Sequence, residues 1–175
     1  MASNGLQEPF DHTDWDRLLK RHVAESPGGH STSVDYSAIG QQRPQLQSYL
    51  TSLSSVSQAQ FDRWPKPDQL AFLINAYNAW TIDLILTAYP NLESIKDLGS
   101  WFRSPWKLVF IPLLGNERSL DEIEHELIRG SGRYGDPRIH FAVNCASIGC
   151  PALREEAYVG EKLDSQLDAQ TKRFL

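Results

Sequence analysis

The segment PDQLAFLINAYNAWTIDLILTAY, residues 67–89, decides the fold that we predict for this chain. Pro67 suits the first position of a helix, because proline has no N–H to leave unpaired there. Apolar side chains cover nearly every side of the predicted helix, which is typical of a helix at the centre of a protein. Because the segment also contains Asn75, Asn78 and Asp83, we interpret it as a buried core helix and predict no transmembrane segment.

Two asparagines, Asn75 and Asn78, lie one helical turn apart within this apolar segment. Burying a side-chain amide without hydrogen-bond partners costs about 1–3 kcal/mol. The pair therefore predicts specific partners, which are either the backbone of a crossing loop or the groups of a functional site.

The composition is that of a globular protein. The chain has 175 residues, 41% of them apolar, and a net charge of -5, which suits one domain. No basic run occurs, and this argues against nucleic acid as a partner. We predict a flexible N-terminus over residues 1–11 and a single domain over residues 12–175. The N-terminus contains no apolar signal region, which taken alone favours the cytoplasm.

Five further helices are predicted around the central segment. Capping boxes, in which a serine is followed three residues later by Gln or Glu, mark helix starts at Ser57 and Ser119. Apolar spacing predicts the other helices, with Thr13 as an N-cap and further starts at Pro44 and at about Glu161.

Two segments have the pattern of β-strands. Residues 108–118 contain a β-prone run that is predicted to turn at Gly115–Asn116. Residues 138–144 alternate, so that His140 and Asn144 share the side opposite to three apolar residues, Ile139, Phe141 and Val143. We therefore predict an α+β fold, a mostly helical single domain with a small antiparallel sheet near 108–118 and 138–144.

Reactive side chains are concentrated in PRIHFAVNCASIGCP, residues 137–151, which contains both cysteines. The leading hypothesis is a thiol-dependent hydrolase or transferase that acts on a peptide-like or amide substrate. A nucleophilic thiol needs a neighbouring base and a third group that orients the base. We assign Cys145 as nucleophile, His140 as base, Glu124 as orienting group and Asn75 as oxyanion donor.

This hypothesis has further conditions. On a regular strand Cys145 faces away from His140, so the pair requires the chain to turn after Asn144. Four residues are predicted to contact the substrate: Tyr77, Asn78, Asn144 and Ser147. The mechanism includes no cofactor.

Two alternatives remain open from the residues alone. His140, Cys145 and Cys150 are potential zinc ligands, with Glu124 or His125 as a fourth, although the H-x4-C-x4-C spacing is not an established zinc pattern. In the other alternative the cluster is structural and the domain is a non-catalytic binding or scaffold module. The cysteines then form a disulfide or pack as thiols, and His140 is a core histidine bonded to Glu124 or Asn75.

Four blocks together resemble the domain of unknown function (DUF) 547 family: AFLINAYNAWTI (71–82), SPWK (104–107), SLDEIEHELIR (119–129) and DPRIHFAVNCASIGCPAL (136–153). The resemblance extends from about Phe10 to Leu175. It maps the family pattern onto the candidates above: Asn75, Tyr77, Asn78, Glu124, His125, His140, Asn144, Cys145, Cys150 and Pro151.

The resemblance has implications beyond the fold. Bacterial members are often exported or lipid-anchored, which implies a periplasmic or secreted location. Plant members often join the domain to a leucine-zipper segment, which implies a peptide or protein partner in some branches. Family domains usually continue past the segment that resembles residues 172–175, so the resemblance also implies a C-terminally truncated version.

The pairing of the NAYN helix with a His140 strand is similar to papain-like and transglutaminase-like folds, as a fold-level analogy only. Those enzymes have the nucleophile on the helix, where this sequence has Asn75 and Asn78. In a fold of that type, the thiol has moved or the site is degenerate.

Overall fold

The computed structural model describes residues 10–88, 105–143 and 152–175. The first range contains five α-helices and one hairpin: α1 (Thr13–His22), β1 (Val23–Glu25), β2 (Thr32–Val34), α2 (Tyr36–Gln41), α3 (Arg43–Ser54), α4 (Gln58–Asp62) and α5 (Lys66–Ala88). The second contains a 3-10 turn (Pro105–Lys107), β3 (Ile111–Leu113), β4 (Asn116–Arg118), α6 (Leu120–Glu122), a π-helix (Ile123–Arg129) and a 3-10 helix (Pro137–Phe141). The third contains a 3-10 turn (Gly160–Lys162) and α7 (Leu163–Phe174).

Helix α5 is the centre of the fold, as the sequence predicts. It packs against α3, the π-helix and the 3-10 turn at Gly160–Lys162. The stretch Lys66–Thr87 is long and apolar enough to cross a membrane by length and composition, and 83% of its apolar window is buried inside the protein. This burial is that of a core helix.

Helix α3 packs against α5, and α1 packs against α3. The predicted apolar stripes are buried on both of them, and Trp15 stacks on Tyr49 with ring centroids 6.0 Å apart. Thr13 is the first helical residue and not the N-cap that we expected. The N-cap is His12, and the Asp11 carboxylate accepts the Thr13 N–H at 2.9 Å.

Other predicted helix starts agree with the structure. The Ser57 hydroxyl accepts the Gln60 N–H at 3.1 Å, and the Gln60 side chain accepts the Ser57 N–H at 3.0 Å, which completes the capping box. The Ser119 hydroxyl likewise accepts the Glu122 N–H at 3.1 Å. The C-terminal helix α7 follows the turn at Gly160–Lys162, close to its predicted start.

The described sheets are two short antiparallel hairpins. Strands β3 and β4 pair with Ile111 opposite Arg118, and the turn lies at Leu114 and Gly115, whose φ angles are 53° and 82°. Two positive φ angles in a two-residue loop match the strand twist of a tight hairpin. The turn is one residue earlier than predicted, and Leu108 and Val109 precede the strand. Strands β1 and β2 pair with Val23 opposite Val34 and Glu25 opposite Thr32.

The predicted strand at residues 138–144 is wrong for its described part. Pro137–Phe141 form a 3-10 helix, capped by the Asp136 carboxylate, which accepts the Arg138 N–H at 2.9 Å. Arg138 also forms ion pairs with Asp136 and Asp164, at 2.7 Å and 2.8 Å. The helix-start signal of Asp136 and Pro137 therefore outweighs the strand-like alternation of residues 138–144. The analogy with papain-like folds loses the strand on which it relied.

The fold class that the sequence predicts is confirmed. The protein is mostly helical with small antiparallel sheets, an α+β arrangement around α5. The 3-10 helix packs against α7, where the Phe141 and Phe174 rings lie 5.0 Å apart. This packing fixes the position of the 3-10 helix, which contains the predicted site residue His140.

Candidate functional site

Six of the predicted site residues lie in the described part of the chain: Asn75, Tyr77, Asn78, Glu124, His125 and His140. The first three lie on α5, the next two on the π-helix, and His140 on the 3-10 helix. Asn144, Cys145, Ser147 and Cys150 lie outside the described residues, as does Pro151.

The π-helix determines how Glu124 is paired. Glu124 Oε1 and Arg129 Nη2 are 3.2 Å apart, although the two residues are five positions apart in sequence. In an α-helix, with about 100° per residue, such residues point about 140° away from each other. In a π-helix hydrogen bonds join residue i to residue i+5, which brings these side chains onto one face.

The end of the π-helix requires a glycine. A Cβ at Gly130 would lie 2.6 Å from the His125 carbonyl oxygen and 3.2 Å from the Glu126 Cα. Both neighbours are backbone atoms, so they cannot move aside as a flexible side chain does. Gly130 is therefore part of what allows the wide helical turn.

Arg129 joins Glu124 to His140. The Arg129 guanidinium Nη2 lies 3.3 Å from His140 Nδ1 and 3.2 Å from the Glu124 carboxylate. The sequence predicts direct contact between Glu124 and His140, and it misses Arg129. The prediction of a core histidine is also wrong, since His140 is exposed. Arg129 would have been found only by a signal for the π-helix, because α-helical spacing turns it away from Glu124.

The Arg129 contact fixes the proton on the His140 ring. A guanidinium only donates hydrogen bonds, so Nδ1 of His140 must accept. A neutral imidazole with an accepting Nδ1 has its proton on Nε2. Nε2 has no partner among the described residues, so His140 presents a free N–H donor.

Tyr77 and Trp106 are buried side chains that are hydrogen-bonded to each other. The Trp106 indole Nε1–H donates to the Tyr77 hydroxyl at 2.8 Å. Burial raises the pKa of the Tyr77 phenol, and the negative charge of Glu124 raises it further. Tyr77 therefore stays protonated at neutral pH. The effect of the Glu124 charge on the Tyr77 pKa indicates that the two side chains lie near each other.

Both asparagines of α5 bond to main chain. The Asn75 amide donates to the Tyr158 carbonyl at 2.7 Å and accepts the Tyr158 N–H at 3.0 Å. The Asn78 amide donates to the Ala142 carbonyl at 3.0 Å. The structure thus agrees with the prediction of a crossing backbone as the partner. Asn75 is fully buried, and its contacts give no support to the oxyanion role.

The exposed part of the cluster has two cationic or potentially cationic groups around one carboxylate. Side-chain exposure is 43% for Arg129 and 60% for His125, against 17% for Glu124. His125 Nε2 lies 3.9 Å from the Glu124 carboxylate. Such an arrangement can bind an anion or stabilise negative charge that develops during a reaction.

A metal site is found nowhere in the ranges 10–88, 105–143 and 152–175, where no three His, Cys, Asp or Glu residues are placed to hold an ion. The zinc hypothesis relies on Cys145 and Cys150, which lie outside those ranges. His140 Nδ1 is bonded to the Arg129 guanidinium, which is not a metal ligand.

The fold and this cluster define a small, mostly helical α+β protein with a polar site at the edge of its core helix. The model of the family described as "Protein of unknown function, DUF547" matches residues 61–175. The match covers more than half of the chain and every described site residue, so the chain belongs to the DUF547 family. No curated protein and no solved structure is significantly similar to the chain.

Proposed function

We propose that this DUF547 protein is a thiol-dependent hydrolase or transferase acting on a peptide-like or amide substrate, with Cys145 as nucleophile. The observation that carries the proposal is the series Glu124–Arg129–His140, which ends on an exposed ring whose Nε2–H has no partner among the described residues. Oriented donors of this kind stabilise anionic sulfur and oxygen.

Chain connectivity limits the distance between Cys145 and this series. Asn78 holds the carbonyl of Ala142 at 3.0 Å. Three residues of fully extended chain span at most about 11 Å, so Cys145 lies within that distance of Ala142. His140 lies two residues before the same anchor.

The tautomer changes the role that we assign to His140. A neutral ring whose Nδ1 accepts from Arg129 has no lone pair left at Nε2 to remove a thiol proton. His140 is then a donor to the Cys145 thiolate or to the substrate oxyanion, the role that the sequence suggested for Asn75. Arg129 favours the thiolate by its charge, and Glu124 acts through Arg129 as a positioning residue.

The reaction balances without a cofactor. The Cys145 sulfur forms a bond to the carbonyl carbon of the substrate, the carbon–nitrogen bond breaks, and the leaving nitrogen takes a proton from water. The hydroxide left by that water then attacks the thioester, which releases the carboxylic acid and restores the thiolate. In a transferase an acceptor amine attacks instead, and its proton returns to the hydroxide.

The pKa of the Cys145 thiol tests the proposal. Alkylation of the folded protein by iodoacetamide, followed over pH by mass spectrometry, separates Cys145 from Cys150. We expect a thiol pKa below the usual value of about 8.5. An ordinary or raised thiol pKa, or complete resistance to alkylation under reducing conditions, would overturn the proposal.

A matched pair of variants adds the control. Arg129 and Arg133 have side-chain exposures of 43% and 44%, and each lies 3.2 Å from a carboxylate. Arg129→Gln is expected to raise the thiol pKa of Cys145, whereas Arg133→Gln should leave it unchanged. Equal effects of the two variants would contradict a specific role for Arg129.

The second candidate is a non-catalytic binding or scaffold module for a peptide or protein. The contacts of Asn75 and Asn78 favour it, since both amides bond to main chain as structural links do. In that case alkylation gives an ordinary thiol pKa that neither arginine variant changes.

A further inference from the structure

Two adjoining clefts lie on the side of α5 that faces α1 and the turn at Gly160–Lys162. Their volumes are about 570 Å³ and about 290 Å³, and both are lined by Phe10, His12, Val159 and Lys162. None of these residues belongs to the Glu124–Arg129–His140 series. Clefts of this size hold small molecules.

His12 is the buried polar group of these clefts. The residue is 7% exposed, and its Nδ1 lies 2.6 Å from the Tyr49 hydroxyl. Its Nε2 has no partner among the described residues. Burial lowers the pKa of His12 to about 4, so the ring is neutral at physiological pH. When Nδ1–H donates to the Tyr49 oxygen, Nε2 presents a lone pair.

Negative charge predominates around the clefts. Among the described residues, five carboxylates and two ammonium groups line them: Asp11, Asp16, Asp68, Glu156 and Glu161, and Lys20 and Lys162. The Lys20 ammonium is 2.8 Å from the Asp16 carboxylate, and Glu156 is paired with Arg154 at 2.7 Å. Burial raises the pKa of Glu156, but hydrogen bonds from Gln166 and Arg154 and the charges of Arg154 and Lys162 outweigh it and lower the pKa.

Asp68 and Glu161 differ from Asp11, which accepts hydrogen bonds from Thr13. Neither forms an ion pair or a side-chain hydrogen bond with another described residue. Burial raises the pKa of Asp68, and the like charge of Glu161 raises it further. The Asp68 carboxylate lies directly against Gly160, where a Cβ would collide with it. The two acids therefore lie near each other in the lining of the smaller cleft.

We propose that these clefts bind a small molecule with a protonated amine. Its ammonium group lies between Asp68 and Glu161 and donates a hydrogen bond to Nε2 of His12. The apolar part of the ligand packs against Phe10 and Val159, and the Phe10 ring adds a cation–π contact. Each contact has a separate reason: the two carboxylates attract a cation, and Nε2 of His12, which has no partner among the described residues, can accept a hydrogen bond.

Three probes of one shape test the proposal on the full chain. Benzylamine is cationic, benzyl alcohol is neutral and benzoate is anionic, while the ring is the same in all of them. Binding is measured by calorimetry and by NMR titration of the backbone amides of residues 10–20 and 157–163. Only benzylamine is expected to bind saturably and to shift these amides.

A pair of double variants supplies the control. The double variant Asp68→Asn/Glu161→Gln is expected to bind benzylamine at least about tenfold more weakly, which corresponds to the loss of roughly one ion pair. Glu117→Gln with Asp168→Asn removes two exposed carboxylates that do not line the clefts, and benzylamine should bind this variant as it binds the native chain. Melting temperatures confirm that both variants fold.

The proposal is overturned by three results. They are the absence of saturable benzylamine binding, equal or tighter binding of benzoate, and benzylamine affinity that the Asp68/Glu161 variant retains.

Discussion

Glu124 and Arg129 are five residues apart, and their side chains meet at 3.2 Å because the segment between them is a π-helix. The contact matters because the same guanidinium group reaches His140 at 3.3 Å. The π-helical turn thus lets Arg129 connect the Glu124 carboxylate to the His140 imidazole, although His140 lies on a different element. Short π-helical segments occur frequently at functional sites.

The π-helix should depend on Gly130. Gly130→Ala places a Cβ 2.6 Å from the His125 carbonyl oxygen, so the turn must shift or the backbone must strain. We expect a loss of about 1–3 kcal/mol in the free energy of unfolding, which is the usual range for overpacking. Urea denaturation followed by circular dichroism measures it. Gly135→Ala is the control, because a Cβ at Gly135 has no atom within 4 Å, and an equal loss there would remove the argument.

Stability should fall with acid through His12. Burial lowers the pKa of folded His12 to about 4, from the value of 6.5 that the unfolded chain keeps. The folded form therefore binds fewer protons, and its stabilisation is lost as pH falls from about 6.5 to about 4. The shift corresponds to about 3 kcal/mol.

Urea midpoints measured between pH 7 and pH 4 check this expectation. In His12→Gln the decrease of stability between pH 6.5 and pH 4 that comes from His12 should disappear. The variant is also less stable at pH 7, because the contact with Tyr49 changes. Carboxylates contribute mainly at lower pH. If the native protein and the variant have parallel stability curves, His12 is not titrating in this way.

Asn75 should be a major link in the fold. Asn75→Ala leaves the buried Tyr158 N–H and carbonyl without the partners that the amide now supplies. We expect a loss of about 2–4 kcal/mol in the free energy of unfolding, since each stranded group costs about 1–3 kcal/mol. Gln47→Ala, an exposed residue on α3, is the control and should be nearly neutral. A loss of less than about 1 kcal/mol for Asn75→Ala would contradict the link.

The sequence predicts much of this fold, because several of its signals act locally. Apolar residues on every side identify α5 as the core helix, and the Ser57–Gln60 capping box specifies its own two hydrogen bonds. The β3–β4 turn follows from a glycine at a position of positive φ. In each case the residues that form the structure are neighbours in sequence.

The parts that the sequence does not predict depend on competition between signals or on distant contacts. Residues 138–144 alternate like a strand, yet Asp136, Pro137 and the ion pair to Asp164 favour a 3-10 helix. Arg129 is assigned to the site only once the π-helix is known. The partners of Asn75 and His12 lie 83 and 37 residues away, beyond any local pattern.

The protonation of His140 tests the central claim most directly. Two-bond ¹H–¹⁵N correlation spectra of the imidazole, recorded near pH 8, distinguish a proton on Nε2 from one on Nδ1. We predict a single Nε2–H tautomer for His140 in the native protein and a mixture of tautomers in Arg129→Gln, with Arg133→Gln like the native protein. A native His140 with its proton on Nδ1, or a tautomer that Arg129→Gln leaves unchanged, would contradict the proposed Glu124–Arg129–His140 series.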